Sequence, residues 1–519
     1  MGLKVLSLHF QYSHSYYTRS FRAITYALAN AILNICTMEP SSHPEQDPLE
    51  DDSALLDPQE AAEEIPDDPD QPMDSDPEED GTGTEIELQN DSSAHFDLHS
   101  DSIFTIAQHP LDPSIIATGG GDDTTYVFSI ASPSPLLPPS YESNPSPGRP
   151  SLPPTAKLTG HTDSVNALAF TLPTGDYLLT GGLDGHLRIH STTSPSYPLI
   201  ATANELESDE EINFLSPCPH PSHPNTFALG ASNGSVWIYT LDPTDPTTPL
   251  RILQTYFLHT KSCTAGAWTP SGTLLATVSE DGSLYVWDVF GEASAAGIAG
   301  SAGSQAVVGL TTSDQRFAVD GGLFSVAIAP SGAFAVVGGA GGMVRVVGLP
   351  RLGGAAKNKS RGGKKAGGTE GASAGQAGQI LASLQAQSES VETLAFSAPP
   401  LTLLAAGSVD GSIVLFDIAH RFAVRRHIRD AHEEFAVVKV EFAPGPDGHV
   451  LTSCGFDGVV RRWDTRGGTA AGGQGLLREW RGHRGEGEKG GVLGFVQGGG
   501  KRIVTAGDDG VSLVFDTVA

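Results

Sequence analysis

The stretch Leu274–Asp288, LLATVSEDGSLYVWD, decides the fold. An apolar run, Leu274–Val278, leads to a tight turn at Asp281-Gly282. A second run then alternates apolar residues and ends on Trp287. Two short alternating runs joined by Asp-Gly predict a β-hairpin, because glycine supplies the positive φ that a two-residue turn demands. The phrase recurs along the chain. Asp122 pairs with Phe128, Asp184 with His190, Asn233 with Tyr239, Gly341 with Val347, Asp410 with Phe416, Asp457 with Trp463 and Asp509 with Phe515, always at the same six-residue interval. Each copy reads as strand, turn, strand, hairpin, strand. One such sheet cannot bury both faces alone, whereas sheets stacked radially bury one another and leave only short edges.

Eight copies therefore predict an all-β chain, a WD-repeat β-propeller of eight blades. The last copy ends at Ser512–Asp516, one strand short. The apolar positions around Ala94–Leu98 are expected to supply that strand and remove the exposed edge. The fifth copy has lost its Asp and its aromatic residue (Gly341, Val347) and is the least regular.

A His stands 22 to 26 residues before the turn Asp in five copies: His99, His161, His259, His432 and His483. In WD repeats such a His joins the Asp, a strand Ser and the Trp in one hydrogen-bonded network. The fourth blade alone is expected to hold the full set, as His259, Ser279, Asp281 and Trp287. Paired His and Asp also suggest metal or acid–base chemistry. The structural reading is preferred because the pair recurs, whereas a catalytic site would occur once.

The chain carries a formal charge of −31 over 519 residues. Residues 39–100 hold 22 acids and no Lys or Arg, and the chain from residue 101 onward is also net acidic. A self-repelling, apolar-poor stretch does not fold, so residues 38–92 read as a disordered acidic leader before a propeller at 93–519. Residues 1–37 carry no acid and three cations, which resembles a mitochondrial presequence. A gene-model extension with the true start at Met38 is the preferred reading. Low-complexity insertions are expected as solvent-exposed loops at 131–156, 291–316 and 353–379. The Lys cluster of the last (Lys357 to Lys365) reads as a tolerated insertion rather than a nuclear import signal.

The acidity disfavours nucleic acid, whose binding relies on Lys and Arg, and favours a basic partner. Four separated Cys without a CxxC give neither a zinc site nor a disulfide framework. No apolar run of 18 residues suggests a membrane span. The run Gly338–Gly342 lies between strands, so no helix N-terminus is available to a phosphate. No nucleophile with a base stands out. The chain is expected to be a monomeric, non-enzymatic platform without metal or cofactor. It is expected in the cytoplasm, with the nucleus as a second compartment.

In a propeller the loop carrying the His and the hairpin carrying the Asp share one face. Extra acids fall there: Asp101, Asp163, Glu207, Asp209, Glu210, Glu211, Glu280, Glu392, Glu433, Glu434 and Asp508. A ring of like charge focuses its field and attracts a basic peptide.

Several segments carry a family resemblance. NDSSAHFDLHSDSIFTIAQHP with IIATGGGDDTTYVFSI, LTGHTDSVNALAF, the DEEINF segment, SESVETLAFSAPPLTLLAAGSVDGSIVLFDIA and LTSCGFDGVVRRWDTRGG follow in order. Over about residues 85–519 the chain resembles the family of the angio-associated migratory cell protein. That family includes a fungal ribosome-assembly WD-repeat protein. The resemblance implies a dedicated chaperone that holds the basic N-terminal segment of a large-subunit ribosomal protein on an acidic face. The alternative it carries is a general scaffold in signalling or cell migration.

Overall fold

The computed structural model describes residues 89–517, apart from 132–148, 207–209, 243, 246, 299–305, 353–375, 446–447, 468–474 and 484–489. Residues 1–37 and the leader up to residue 88 lie outside the described residues.

The described chain forms an eight-bladed β-propeller, each blade an antiparallel four-stranded sheet. Blade 1 is β2 (Ile103–Gln108), β3 (Ile115–Gly120), β4 (Thr125–Ser129) and β5 (Pro154–Leu158), ordered from the inside out. Blades 2 to 7 repeat this pattern from β6 (Val165–Phe170) to β29 (Leu476–Trp480). The eighth blade, with β30 (Val492–Val496), β31 (Arg502–Gly507) and β32 (Ser512–Asp516), has the order β1-β32-β31-β30. Its outer strand is β1 (Ala94–Phe96), paired through Ala94↔Val514, His95↔Leu513 and Phe96↔Ser512. The closure expected from the sequence is therefore present, and the last sheet does not end on an open edge. Phe96 is fully buried and stacks on Phe128 at 4.3 Å, which locks blade 8 to blade 1.

Side chains of the innermost strands fasten successive blades. Asn166 Nδ2 donates to the carbonyl of Ile212, and Asn213 Nδ2 to that of Cys263. Thr264 Oγ1 donates to Leu323 O and Ser325 Oγ to Val391 O, each at 2.8 Å. Lys439 Nζ reaches Phe495 O at 2.8 Å. Each donor spans a blade boundary, so polar groups buried between sheets are satisfied and also fix the sheets' spacing.

Three expectations are corrected. The segments at 131–156 and 291–316 are not simple loops. Pro154–Leu158 is the outer strand β5. Ala306–Leu310 is the outer strand β17 of the fourth blade, preceded by a one-turn helix, Glu292–Ala295, whose Ala293 is fully buried. PTAKL is mostly polar and AVVGL has no polar side chain, so neither outer strand shows the alternation that a sequence test looks for. Of the third segment only 376–379 is described, as a turn before β21 (Ile380–Gln385). The leader's last residues also belong to the ring: Asp91 N–H donates to Arg481 O at 2.7 Å, and Arg481 N–H to the Asp91 carboxylate at 2.9 Å. The fifth blade, despite its lost Asp, is complete from β18 (Leu323–Ile328) to β21. Gly342, at φ 69°, fills the place that the glycine of Asp-Gly fills elsewhere and keeps the turn.

Candidate functional site

In an antiparallel blade the inner strand starts, the second hairpin turns and the outer strand ends at the same rim. The loops between blades and the Asp-bearing hairpins thus share one face, and the remaining loops share the other. Among the described residues, the loops of the Asp face hold 21 Asp and Glu against four Lys and Arg (Lys261, Arg316, Arg429, Arg481). The loops of the opposite face hold five of each sign. The acidity is a property of one face.

Six of those acids serve their own blades. His99 Nδ1 meets Asp122 at 3.0 Å and its Nε2 meets Thr118 at 3.0 Å. His161 joins Asp184 and Thr180, and His483 joins Asp509 and Thr505, in the same way. Burial pushes the Asp122 and Asp184 carboxyls up, but hydrogen bonds and charge from His99 and His161 outweigh it and hold both at about 2. Asp281 and Asp410, whose carboxylates accept from Thr260 N–H and Ser388 N–H, and Asp457 complete the six.

The expected fourth-blade set is corrected in one member. Thr277, not Ser279, is its hydroxyl: Thr277 Oγ1 takes His259 Nε2 at 2.8 Å and Trp287 Nε1 at 2.8 Å. Ser279 instead donates to Lys261 O and accepts from Asp281 N–H. His259 Nδ1 meets Ser283 Oγ at 2.6 Å and lies 4.0 Å from Asp281. Burial lowers His259 to about 4. The seventh blade also holds a full set. His432 bridges Asp457 at 2.9 Å and Ser453 at 2.8 Å, and Trp463 Nε1 donates to Ser453 at 2.9 Å. In all five blades the hydroxyl lies four residues before the Asp, a spacing visible in the sequence. Gln387, 23 residues before Asp410, takes the His place in blade 6 and donates to Ser412. These groups are buried and closed on one another, which fits a structural role.

The further acids lie at the seams between blades. Asp101 accepts from Ser102 N–H at 2.8 Å, and Ser102 Oγ donates to the Asp508 carboxylate at 2.6 Å, so one serine gathers two acids where blade 8 meets blade 1. Asp163 accepts from Ser164 N–H at the start of blade 2. Glu210 accepts from Ser232 Oγ at 3.0 Å, and the Glu211 N–H donates to the same hydroxyl. Glu280 is half-buried on the fourth hairpin, and Glu392 is half-buried in β22 (Val391–Phe396). Glu433 and Glu434 are exposed beside the sixth hairpin. Glu433 holds a left-handed backbone, φ 56°, and its carbonyl lies so close to Gly411 that a side chain there would collide. Glu207 and Asp209 lie outside the described residues.

One acid escaped the sequence reading. Asp123 fills, at φ 58°, a hairpin position that is glycine in most other blades. Burial and the charges of Asp163, Asp122 and Asp184 raise its carboxyl. Its signal was the doubled acid Asp122-Asp123 where Asp-Gly is usual. Among the described residues no group of three His, Cys, Asp or Glu is placed to hold a metal ion, and no helix is long and apolar enough to cross a membrane.

Comparison with known proteins agrees with this architecture. The family model for the WD domain, G-beta repeat, matches residues 152–191, 250–288, 378–417 and 425–464. The angio-associated migratory cell protein of Homo sapiens is 25% identical over 438 residues, 84% of this chain and 82% of that protein. The ribosome assembly protein SQT1 of Saccharomyces cerevisiae is 32% identical over 229 residues, 43% of this chain and 47% of that protein. The crystal structure of Chaetomium thermophilum Sqt1 bound to the N-terminus of the ribosomal protein L10 superposes with a TM-score of 0.71 and 52% identity. That match covers 83% of this chain and 100% of the solved one. With that identity across an entire solved propeller, on top of the eight-bladed ring and its acidic face, this chain belongs to the Sqt1 family of WD-repeat proteins.

Proposed function

We propose that this protein is a dedicated chaperone in large ribosomal subunit assembly, binding the basic N-terminal segment of a newly made ribosomal protein on its acidic face. The carrying observation is the asymmetry of the two faces among the described residues, 21 acids against four cations on one and five against five on the other. A ring of that sign concentrates Lys- and Arg-rich segments at its surface. The likeness to a Sqt1 bound to the N-terminus of L10 supports the same client class. Binding, not catalysis, is the activity proposed, because the His–Asp pairs recur in five blades and are spent inside them. The proposed compartment is the cytoplasm, where clients are made, with the nucleus as a second site of delivery.

The test is calorimetric binding of a basic ribosomal-protein N-terminal peptide. Each exposed ion pair contributes only ~0.2–1 kcal/mol, so affinity must come from many together. Raising salt from 0.1 M to 1 M shortens the screening length from ~10 Å to ~3 Å and should weaken binding steeply. Glu392 is half-buried, so charge reversal there would confound folding with binding. The exposed Glu389 and Glu434 serve instead. Glu389→Lys with Glu434→Lys should lower affinity more than the matched Gln changes, with thermal stability unchanged. Affinity that ignores both salt and charge reversal refutes the proposal. Affinity purification should return one dominant ribosomal protein; a spread of signalling proteins would favour a general scaffold.

A further inference from the structure

The eight blades provide internal controls, and one corner of the acidic face departs from the rest. Two residues before the His of each inter-blade loop, four of the five His-bearing loops carry a polar or charged residue: Asp97, Thr159, Asp430 and Arg481. The loop that enters blade 4 carries Phe257 there, with 66% of its surface exposed, followed by Leu258 at 42%. Phe257 stands edge-on to Trp237, ring centres 5.9 Å apart at 83°.

Trp237 is the second residue of β12 (Val236–Leu241), directly after the third-blade hairpin. It is half-buried, and it packs against the apolar cluster between blades 2 and 3. Its Nε1 donates to Ser235 Oγ at 2.8 Å, which fixes the ring. Tyr239 lies beside it at 6.3 Å and donates its hydroxyl to Glu205 at 3.2 Å. At the other end of the same hairpin Ser232 holds Glu210 at 3.0 Å. A half-buried Trp237 and an exposed Phe257 thus share a corner of the face with the loop that carries Glu205 and Glu210.

Other blades show what rings on this protein accept, among them Phe495 of blade 8, with the Lys439 ammonium 4.9 Å from its ring centre. In blade 1, Tyr126 stands four residues after its turn Asp, as Trp237 stands four after Asn233, and the Lys157 ammonium lies 5.1 Å over its ring. Arg462 and Arg478 lie over Trp480 in blade 7, at 5.6 and 4.9 Å. No Lys or Arg among the described residues stands over Trp237 or Phe257.

We propose that the Trp237–Phe257 corner is an arginine-selective subsite of the acidic face, taking a guanidinium of the basic client against the aromatic rings beside the loop that carries Glu205 and Glu210. This rests on the proposed function above and adds a specificity to it. A planar, weakly hydrated guanidinium stacks on an indole or phenyl ring and still donates to flanking carboxylates, whereas a compact ammonium does this poorly. The carboxylates alone would accept either cation. The rings make the corner prefer arginine.

The experiment compares two synthetic peptides of equal length and charge, one with arginines and one with lysines, on the full-length chain by calorimetry at 0.1 M and 0.5 M salt. Wild type should bind the arginine peptide about two- to fivefold more tightly. The preference should persist at 0.5 M salt, because ring stacking is a short-range contact. Phe257→Ser should bring the arginine peptide down toward the lysine peptide and leave the lysine peptide's affinity unchanged. Equal binding of both peptides to wild type, or a preference that survives Phe257→Ser, overturns the subsite and leaves the acidic-face reading intact. Failure of both peptides to bind wild type overturns that reading and the subsite with it. Light scattering provides the last arm: a concentration-dependent dimer abolished by Phe257→Ser would assign the corner to self-association and overturn the proposal.

Discussion

Replacing Phe96 by alanine tests ring closure at one side chain. Phe96 is completely buried, stacks on Phe128 at 4.3 Å and 9°, and meets Tyr126 edge-on at 5.4 Å. It also packs in the cluster of Ile116, Ile130, Val504 and Val514 that joins the last blade to the first. Truncating a buried Phe to Ala costs about 3–5 kcal/mol, and the aromatic pairing is already part of that cost. Against a typical stability of about 5–15 kcal/mol this is a large fraction. Strand β1 pairs through only three residues, so without the Phe96 anchor it should also fray locally. The assay is urea unfolding together with hydrogen exchange of the Ser512 and Val514 amides, which stand opposite Phe96 and Ala94. Leu98→Ala, at a residue 44% exposed, is the control and should change stability by no more than about 0.5 kcal/mol. A Phe96→Ala protein that loses under 1 kcal/mol and keeps those amides protected would refute the idea that β1 holds the ring shut.

Thr277→Val should destabilise more than Ser279→Ala in parallel urea titrations, because it leaves two buried groups, His259 Nε2 and the Trp287 indole N–H, without the hydroxyl they share, each worth about 1–3 kcal/mol. Acid should unfold the chain in two stages. His259 titrates at about 4 when folded and near 6.5 when unfolded, so the unfolded chain holds the extra proton between those values and stability falls as pH drops from about 6.5 to about 4. Asp122 and Asp184, held at about 2, stay charged in the folded chain after their unfolded counterparts protonate, so a second loss opens below about 4. His259→Gln, which copies Gln387 of blade 6, should shrink the upper stage and spare the lower one when the unfolding midpoint is followed against pH; His432 and His190, also lowered by burial, sustain the remainder.

The ring and its acidic face were legible in the sequence, whereas the registry within blades was less so. Asp-Gly turns force a backbone sign, so they mark hairpins wherever they occur. The mistaken Ser279 shows the limit of alternation. Positions two and four before the Asp point to the same side of a strand, and only depth decides which hydroxyl reaches the His. Outer strands such as Ala306–Leu310 bury one face at most and need no apolar pattern. The face on which the acids fall follows from strand direction alone. Their gathering at seams does not, because it depends on residues such as Ser102 that join chain ends 406 positions apart. Asp123 was missed because it occupies a place where glycine was assumed.

The strand that seals the ring is the first part of the propeller to be translated, and its partner, Ser512–Asp516, is the last. Val514 and Ala94 are separated by 420 positions, so the closing contact is among the longest-range in the fold. Until the final strand leaves the ribosome, β1 has nothing to pair with, and the seam that brings Asp101 and Asp508 together does not exist. A truncated chain therefore presents a broken circle of charge. If this protein guards unfinished partners, its acidic ring is whole only when both ends of the propeller are present and paired, which makes the closing strand a built-in check on the guardian's integrity.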